Sequence, residues 1–251
     1  MGRLSTAAWV RSCLDLFFPP HCLACRVALP SSQPPLFCAA CRAAITFARA
    51  PLCSCCGRPL GSLPGLAPAV GDSHCCGACL QKPPFFSKAR AAVLYDEMIG
   101  RALQGYKYHG DLAGLDTFAE LFRQAPAVAE LDRGDYILPV PLHQKRLQRR
   151  GFNQALLLAR AFFPQRRWQI NSRLLVRHRA TAAQTGMSGQ QRRQNQRGAF
   201  ALSQPHLVKR RRVLLVDDVF TTGSTVNECA GVLKAAGAAE VQVLTLARVR
   251  E

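Results

Sequence analysis

The chain has 251 residues, of which 49% are hydrophobic, and it carries a formal charge of +18. This length and apolar content suffice for one large domain or two smaller ones, and they exclude global disorder and a collagen, mucin or coiled-coil class. A positive charge of this size predicts an anionic partner, such as nucleic acid, a phosphorylated small molecule or an acidic membrane surface.

The N-terminal stretch Leu4–Phe18 predicts a short amphipathic helix rather than a membrane anchor. Arg11 and Asp15 interrupt its apolar residues, so it is too short and too charged to span a bilayer. It also lacks the basic start, clean apolar run and cleavage site of a signal peptide. We therefore expect a cytoplasmic protein with no membrane span.

Cysteine is concentrated in the N-terminal third of the chain. Eleven of the twelve cysteines lie between Cys13 and Cys79, among many prolines and glycines. In a cytosolic chain this density favours metal binding over a disulfide framework. Four Cys-x-x-Cys pairs have zinc-ligand spacing, because two such turns complete a tetrahedral thiolate site. The pairs are Cys22/Cys25, Cys38/Cys41, Cys53/Cys56 and Cys76/Cys79.

Four pairs predict two Cys₄ zinc sites. The simplest arrangement is sequential, with the first two pairs on one ion and the last two on the other, but a nested arrangement also fits the spacing. Cys55, Cys75 or His74 could replace a neighbouring ligand, whereas Cys13 and Cys229 are expected to be small core residues. A closed Cys₄ site has no open coordination position, so the zinc is expected to be structural. A thioredoxin-type redox pair is disfavoured in this proline-rich context.

A change of pattern near Gln81–Ser87 predicts a domain boundary, because Lys82-Pro83-Pro84 interrupts any element. We expect two domains, residues 1–82 and 87–251. The second alternates strands with helices, which is typical of a doubly wound α/β domain with a parallel sheet. The predicted strands are Ala91–Tyr95 at an edge, Tyr136–Val140, Arg212–Val216 and Val241–Arg248, and the predicted helices are Met98–Tyr106, Leu115–Phe122, Asn153–Phe163 and Ser224–Ala236.

The positive charge is unevenly spread along this second part. Residues 140–212 hold 17 Lys and Arg but no Asp or Glu. Ordinary protein surfaces mix the two signs. The run therefore predicts a surface that meets phosphate groups.

The clearest chemical signal runs from Val213 to Thr225. Four apolar residues predict a strand buried on both faces, and Asp217 and Asp218 follow at its C-terminal end, where open α/β sheets bind ligands. Hydroxyl residues around Gly223 then precede a helix whose N-terminus favours anions. The pattern predicts a cradle for a phosphate monoester, with carboxylates suited to ribose hydroxyls and, indirectly, to Mg²⁺. The Walker and dinucleotide fingerprints are absent.

This segment resembles the phosphoribosyl pyrophosphate (PRPP) motif of the type I phosphoribosyltransferases. By that resemblance Asp217 and Asp218, the catalytic candidates, hold the ribose hydroxyls, and the following loop holds the 5-phosphate. The loop residues are Val219, Phe220, Thr221, Thr222, Gly223, Ser224 and Thr225.

The whole chain resembles one branch of that superfamily, the ComF proteins, which include the GntX-like proteins of Gram-negative bacteria. Besides the cysteine pairs and the PRPP motif, the resemblance rests on Lys107-Tyr108 with Gly110, on Val140-Pro141-Leu142 running into Arg149-Arg150-Gly151-Phe152-Asn153-Gln154, and on Thr185-Gly186 leading through Arg192 and Asn195 to Ala199-Phe200. It implies an α/β protein in which an N-terminal double zinc ribbon precedes a phosphoribosyltransferase-type parallel sheet flanked by helices.

The resemblance also implies phosphate contacts outside the PRPP motif. The superfamily places its pyrophosphate loop where Val140-Pro141-Leu142 ends a strand, and arginines suit that role because their forks donate in pairs. The segment from Arg179 to Arg197 resembles the hood that closes over PRPP and excludes water. The candidates are Arg149, Arg150 and Asn153 for pyrophosphate, and Arg179 and Arg192 for the hood.

Three functions are compatible with these features. The first is a ComF-like protein that binds PRPP with Mg²⁺ and single-stranded DNA, and works with the uptake machinery in competence or in the use of DNA as a nutrient. The second is a nucleotide-salvage enzyme that transfers ribose 5-phosphate to a base. The third is a regulator that senses PRPP without turnover. The first is favoured, because the second leaves the zinc ribbons and the acid-free run unexplained.

Overall fold

The computed structural model describes residues 19–30, 34–60, 74–108, 114–132, 134–179 and 197–250. Several predictions concern other parts of the chain. The helix over Leu4–Phe18, the side chains of Lys107 and Tyr108, Gly110, Cys13, and the hood residues 180–196 with Arg192 lie outside the described residues.

Four parallel strands form the central sheet in the order β1-β6-β5-β2. They are β1 (Lys88–Tyr95), β2 (Tyr136–Pro139), β5 (Arg212–Phe220) and β6 (Glu240–Val249). The four strands predicted from the sequence are therefore present, and the parallel α/β class is confirmed. Two short strands, β3 (Leu175–Arg177) and β4 (Phe200–Leu202), were not predicted and form a separate antiparallel pair.

Seven α-helices lie within the described residues. They are α1 (Ala39–Ala44), α2 (Gly77–Gln81), α3 (Glu97–Tyr108), α4 (Gly114–Gln124), α5 (Gln144–Arg150), α6 (Gln154–Phe162) and α7 (Ser224–Ala235), with 3-10 segments at Pro126–Glu130, Pro164–Gln169 and Pro205–Val208. None of these helices is long and apolar enough to cross a membrane.

Strand β1 lies at the edge of the sheet, as predicted, but its outer side is covered. The backbone N–H of Ala48 donates to Ala92 O at 3.1 Å, and that of Leu94 donates to Thr46 O at 2.8 Å. The chain between the second and third cysteine pairs thus pairs with the exposed edge. Such covering prevents the edge from pairing with another molecule.

The two groups of cysteine pairs pack on opposite faces of the sheet. Alternate residues of β5 point to opposite faces. Leu214 and Val216 share a core with Cys22, Phe37 and residues of α3, α4 and α6. The neighbouring residues Val213 and Leu215 share a second core with Cys53, Cys56 and Cys76, α7 and the β3–β4 pair. The cysteine-rich part therefore contributes side chains to both cores of the α/β part.

Candidate functional site

A cavity of about 680 Å³ opens at the C-terminal ends of β2 and β5. Both α6 and α7 begin at this cavity, so two helix N-termini face it. Its lining joins two carboxylates, the loop that follows them and four arginines. The lining residues are Val140, Pro141, Leu142, Arg146, Arg149, Arg150, Phe152, Asn153, Gln154, Ala155, Arg177, Asp217, Asp218, Val219, Phe220, Thr221, Gly223, Ser224, Thr225 and Val226.

Asp217 and Asp218 lie in the second half of β5, at the mouth of the cavity. The N–H of Asp218 donates to Asp217 Oδ1 at 2.9 Å, and the N–H of Val219 donates to Asp218 Oδ1 at 2.7 Å. Each carboxylate is thereby oriented by the backbone of the next residue. An ordered pair of carboxylates can accept hydrogen bonds from two hydroxyl groups or bind a hard cation.

The loop between β5 and α7 requires glycine at position 223. Gly223 has φ of +71° and precedes α7. A Cβ at this position would lie 2.5 Å from Phe220 Cζ. Gly223 has no side chain that could cap α7. The N–H groups at the positive end of this helix, which is directed at the cavity, therefore receive no capping oxygen from that residue.

Thr222 is the one predicted loop residue that does not line the cavity. Its Oγ1 donates to Ser224 Oγ at 3.1 Å and accepts from the N–H of Ser224 at 3.4 Å. The hydroxyl therefore supports the turn. Thr221 and Thr225 line the cavity itself.

Asn153 lines the cavity, and both ends of its side-chain amide have partners within the chain. Its Oδ1 accepts from the N–H of Leu156 at 3.3 Å, which caps α6, and its Nδ2 donates to Val140 O at 3.2 Å. Asn153 thus fastens the end of β2 to the start of α6. A cap of this kind is worth about 1 kcal/mol.

Gln154 is a cavity residue that the sequence did not single out. Its side chain is only 3% exposed, and its Nε2 has no hydrogen-bond partner among the described residues. A glutamine on a helix normally reaches solvent, so the residue type alone carries no signal. Its position directly after an N-cap residue at the cavity could have indicated that Gln154 belongs to the site.

Four arginines line the cavity, and the sequence predicted two of them, Arg149 and Arg150. Arg146 on α5 and Arg177 at the end of β3 join them. The guanidinium of Arg177 lies 5.1 Å from the ring centroid of Phe200. Burial, followed by the charge of Arg146, lowers the pKa of Arg177. Both additional arginines lie on short elements whose place depends on tertiary contacts.

The described hood candidate, Arg179, does not line the cavity. It is exposed, and its guanidinium donates to Arg197 O at 2.6 Å. This bond joins the two ends of the segment predicted to form the hood.

The cysteines form two groups, and the grouping is sequential rather than nested. Within each group, the four sulfurs all lie within 4.8 Å of one another. The groups are Cys22, Cys25, Cys38 and Cys41, and Cys53, Cys56, Cys76 and Cys79. We call them the first and second cysteine clusters.

The sulfur geometry fits a tetrahedral zinc ion. At a Zn–S distance of about 2.3 Å, neighbouring sulfurs in a tetrahedron are separated by about 3.8 Å. The Sγ atoms of Cys25 and Cys38 lie 3.7 Å apart, as do those of Cys56 and Cys76. Both clusters can therefore hold a structural zinc ion.

Backbone N–H groups stabilise the thiolate form in the second cluster. The N–H groups of Cys76 and Cys56 donate to Cys53 Sγ at 3.2 and 3.4 Å. Burial by itself would raise the pKa of Cys53, but these bonds, together with bonds from the Cys55 N–H and the Cys56 side chain, lower the pKa to about 6. Burial raises the pKa of Cys56 and Cys79 in the same cluster. A sulfur held as thiolate is ready to bind a metal ion.

The alternative ligands lie outside the clusters. Cys55 Sγ contacts Phe86 O, and Cys75 Sγ lies 3.1 Å from Ser54 Oγ. His74 belongs to neither cluster. Cys229 is fully buried in the second core, as predicted.

Comparison with known proteins agrees with this architecture. The double zinc ribbon domain matches residues 13–80, and the phosphoribosyl transferase domain matches residues 149–251. The fold and the site define a double zinc ribbon joined to a phosphoribosyltransferase-type α/β domain.

Relatives of nearly the same length identify the family. The chain is 38% identical over 209 residues to the DNA utilization protein YhgH of Escherichia coli strain K12, with 78% of this chain and 90% of that protein covered. It is 35% identical over 210 residues to the competence protein F of Haemophilus influenzae, with the same coverage. The chain belongs to the ComF family. The competence protein ComFC of Bacillus subtilis is a more distant relative, 24% identical over 204 residues and 78% of each chain.

Among solved structures, the chain has a weak likeness to the allosteric regulatory enzyme of purine biosynthesis. The identity is 19%, the TM-score is 0.37, and the match covers 57% of this chain and 29% of that chain. A second likeness, to the glutamine PRPP amidotransferase from B. subtilis, has 20% identity, the same TM-score, and covers 57% of this chain and 30% of that one.

Proposed function

We propose that the protein binds PRPP with Mg²⁺ in the cavity and single-stranded DNA on its basic surface, in the uptake of DNA or its use as a nutrient. One observation carries the PRPP assignment. The cavity brings Asp217 and Asp218 together with two helix N-termini and four arginines. PRPP needs the same combination, because it has two hydroxyls between a phosphate and a pyrophosphate.

Each part of PRPP has a matching group in the cavity. The 5-phosphate would lie at the N-terminus of α7, against Gly223 and the neighbouring hydroxyls. The ribose hydroxyls would donate to the two carboxylates. The pyrophosphate would lie toward the start of α6, near Arg149 and Arg150 at the end of α5. Bound Mg²⁺ would neutralise part of the pyrophosphate charge.

The DNA assignment is supported by the charge distribution and by the names of the relatives. Arg167 and Arg179 are exposed, and so are Lys209, Arg210 and Arg211. Cations at these positions can replace the counterions of a nucleic-acid backbone. Two relatives are named as a DNA utilization protein and a competence protein. Zinc in the two cysteine clusters would hold the ribbons on the sheet.

Calorimetry with PRPP and Mg²⁺ tests the cavity assignment. The double variant Asp217→Asn, Asp218→Asn keeps the shape of both side chains but removes their charge. We expect its PRPP affinity to fall at least about tenfold, because each lost charge-assisted hydrogen bond contributes about 1.5–3 kcal/mol.

Asp116→Asn is the matched control, since Asp116 is exposed on α4 and does not line the cavity. Its affinity should equal that of the wild type. Unchanged affinity in the double variant would show that PRPP binds elsewhere. Release of pyrophosphate on addition of a free base would instead favour the salvage transferase.

A further inference from the structure

Two buried arginines hold the Cys53–Cys56 turn from neighbouring strands. Arg90 on β1 is 4% exposed and Arg248 on β6 is 2% exposed. The Nη1 of Arg90 donates to Cys53 O at 3.2 Å and to Ser54 O at 3.3 Å. The Nη1 of Arg248 donates to Cys56 O at 2.6 Å. The turn that supplies half of the second cysteine cluster is therefore fastened to the sheet at both of its ends.

The two arginines differ in what balances their charge. Arg90 is paired with Glu130 at 2.6 Å. Arg248 has no carboxylate partner within the described residues, but its Nη2 lies 3.7 Å from Cys56 Sγ. A buried cation is costly unless an opposite charge lies nearby. Four thiolates around one Zn²⁺ carry a net charge of −2, so a zinc-loaded second cluster supplies that charge.

The face of the same guanidinium lies against the phosphate-binding loop. Its Cζ is 4.4 Å from the ring centroid of Phe220, and Phe86 contacts that ring edge-on at 6.1 Å. Phe220 ends β5, and its ring occupies the space that a Cβ of Gly223 would need. The position of this ring therefore limits where Gly223, and with it the start of α7, can lie.

These contacts form a continuous path from Cys56 through Arg248 and Phe220 to Gly223. We propose that Arg248 is a positioning residue, through which the second cysteine cluster holds the phosphate loop in its binding conformation. The inference rests on the proposed function in one respect, namely that the ligand of the loop is PRPP. It also gives the zinc ribbon a role in the ligand site beyond its own folding.

The variant Arg248→Met, in the zinc-loaded protein, tests the path. Methionine fills much of the same buried volume but removes the charge, the bond to Cys56 O and the stacking on Phe220. Hydrogen exchange of the amides in residues 219–226 should become faster than in the wild type. PRPP affinity should fall at least about fivefold, the lower end of typical coupling between sites. A chelator should remove one of the two zinc ions faster.

Arg90→Met is the matched control, because Arg90 holds the same turn but does not touch Phe220. It should also speed the loss of one zinc ion. While that ion is still bound, loop exchange and PRPP affinity of the Arg90→Met protein should match those of the wild type. Equal effects of the two variants on the loop would overturn the specific role of Arg248.

A second variant, Phe220→Leu, keeps Arg248 against Cys56 but removes the ring. Hydrogen exchange in the loop should become faster, while zinc release stays at the wild-type rate. If circular dichroism shows that Arg248→Met does not fold, this variant tests the path in its place. If the folded Arg248→Met protein exchanges its loop amides at the wild-type rate, the proposed path is overturned, whether or not PRPP binds. Absence of PRPP binding to the wild type would overturn the proposed function alone, because hydrogen exchange measures the path without ligand.

Discussion

Asn153 and Gln154 are adjacent amides at the start of α6 with different surroundings. Both polar atoms of Asn153 are bonded within the chain. Gln154 lines the cavity, and its Nε2 is buried without a partner among the described residues. Leaving a buried donor without an acceptor costs about 1–3 kcal/mol. We therefore infer that Gln154 can add a contact to pyrophosphate beside the one predicted for Asn153.

Replacing Gln154 should have opposite effects on binding and on stability. Gln154→Leu removes the donor at similar volume, so we expect PRPP affinity to fall about tenfold, as for one hydrogen bond to a charged group. The free energy of unfolding should stay the same or rise, because a buried group without a partner is lost. Calorimetry and urea unfolding measure the two effects. Asn153→Ala, in contrast, should lose about 1 kcal/mol of stability with its cap. A destabilised Gln154→Leu protein with normal affinity would contradict this role.

The ribbon elements give a test of the sequential cysteine clusters. Cys22→Ser with Cys25→Ser should lower the zinc content by one ion per chain, as measured by native mass spectrometry. Adding Cys38→Ser and Cys41→Ser should remove no more zinc, because these residues belong to the same cluster. Adding Cys53→Ser and Cys56→Ser instead should remove the second ion. Loss of both ions from the first variant would indicate shared ligands.

The elements that the sequence predicted well are those with strong local signals. The run Val213–Val216 identified β5, and the helix predicted from Asn153 begins one residue later in the structure, with Asn153 as its N-cap. The strand continues through both aspartates to Phe220, which an apolar run cannot show. Helix α5 and the β3–β4 pair were missed, because each has seven residues or fewer and gains its order from neighbours.

The site was predictable to a similar extent and for the same reason. Asp217, Asp218 and Gly223 form one contiguous motif, so their residue types and order were enough. Arg177 and Gln154 come from distant segments that meet only in the folded chain. The docking of the cysteine clusters on opposite faces of the sheet also depends on tertiary packing. As a consequence, loss of the first cluster should weaken the core around α3 and α4 as well as the ribbon.

At the scale of the whole molecule, the cavity and the basic surface are separate features. Trp168 is 79% exposed in the 3-10 segment Pro164–Gln169, next to the exposed Arg167. This segment lies beside the start of β2, because Arg166 Nη2 donates to Gly134 O at 3.1 Å. The cavity lies at the other end of that strand. An exposed aromatic ring next to a cation is suited to stack on an unpaired base.

Trp168→Ala and Arg167→Ala should weaken single-stranded DNA binding in different ways. Loss of the ring removes base stacking, worth about 1–3 kcal/mol, so affinity for a short oligonucleotide should fall about tenfold with an unchanged dependence on salt. Loss of the arginine removes one phosphate contact, so the slope of log K against log salt should decrease by about 0.7. Fluorescence anisotropy at several salt concentrations separates the two effects. PRPP affinity should be normal in both variants, since neither residue lines the cavity. If both variants bind DNA as the wild type does, the DNA surface must lie elsewhere on the molecule, with the arginines around the cavity as the next residues to replace.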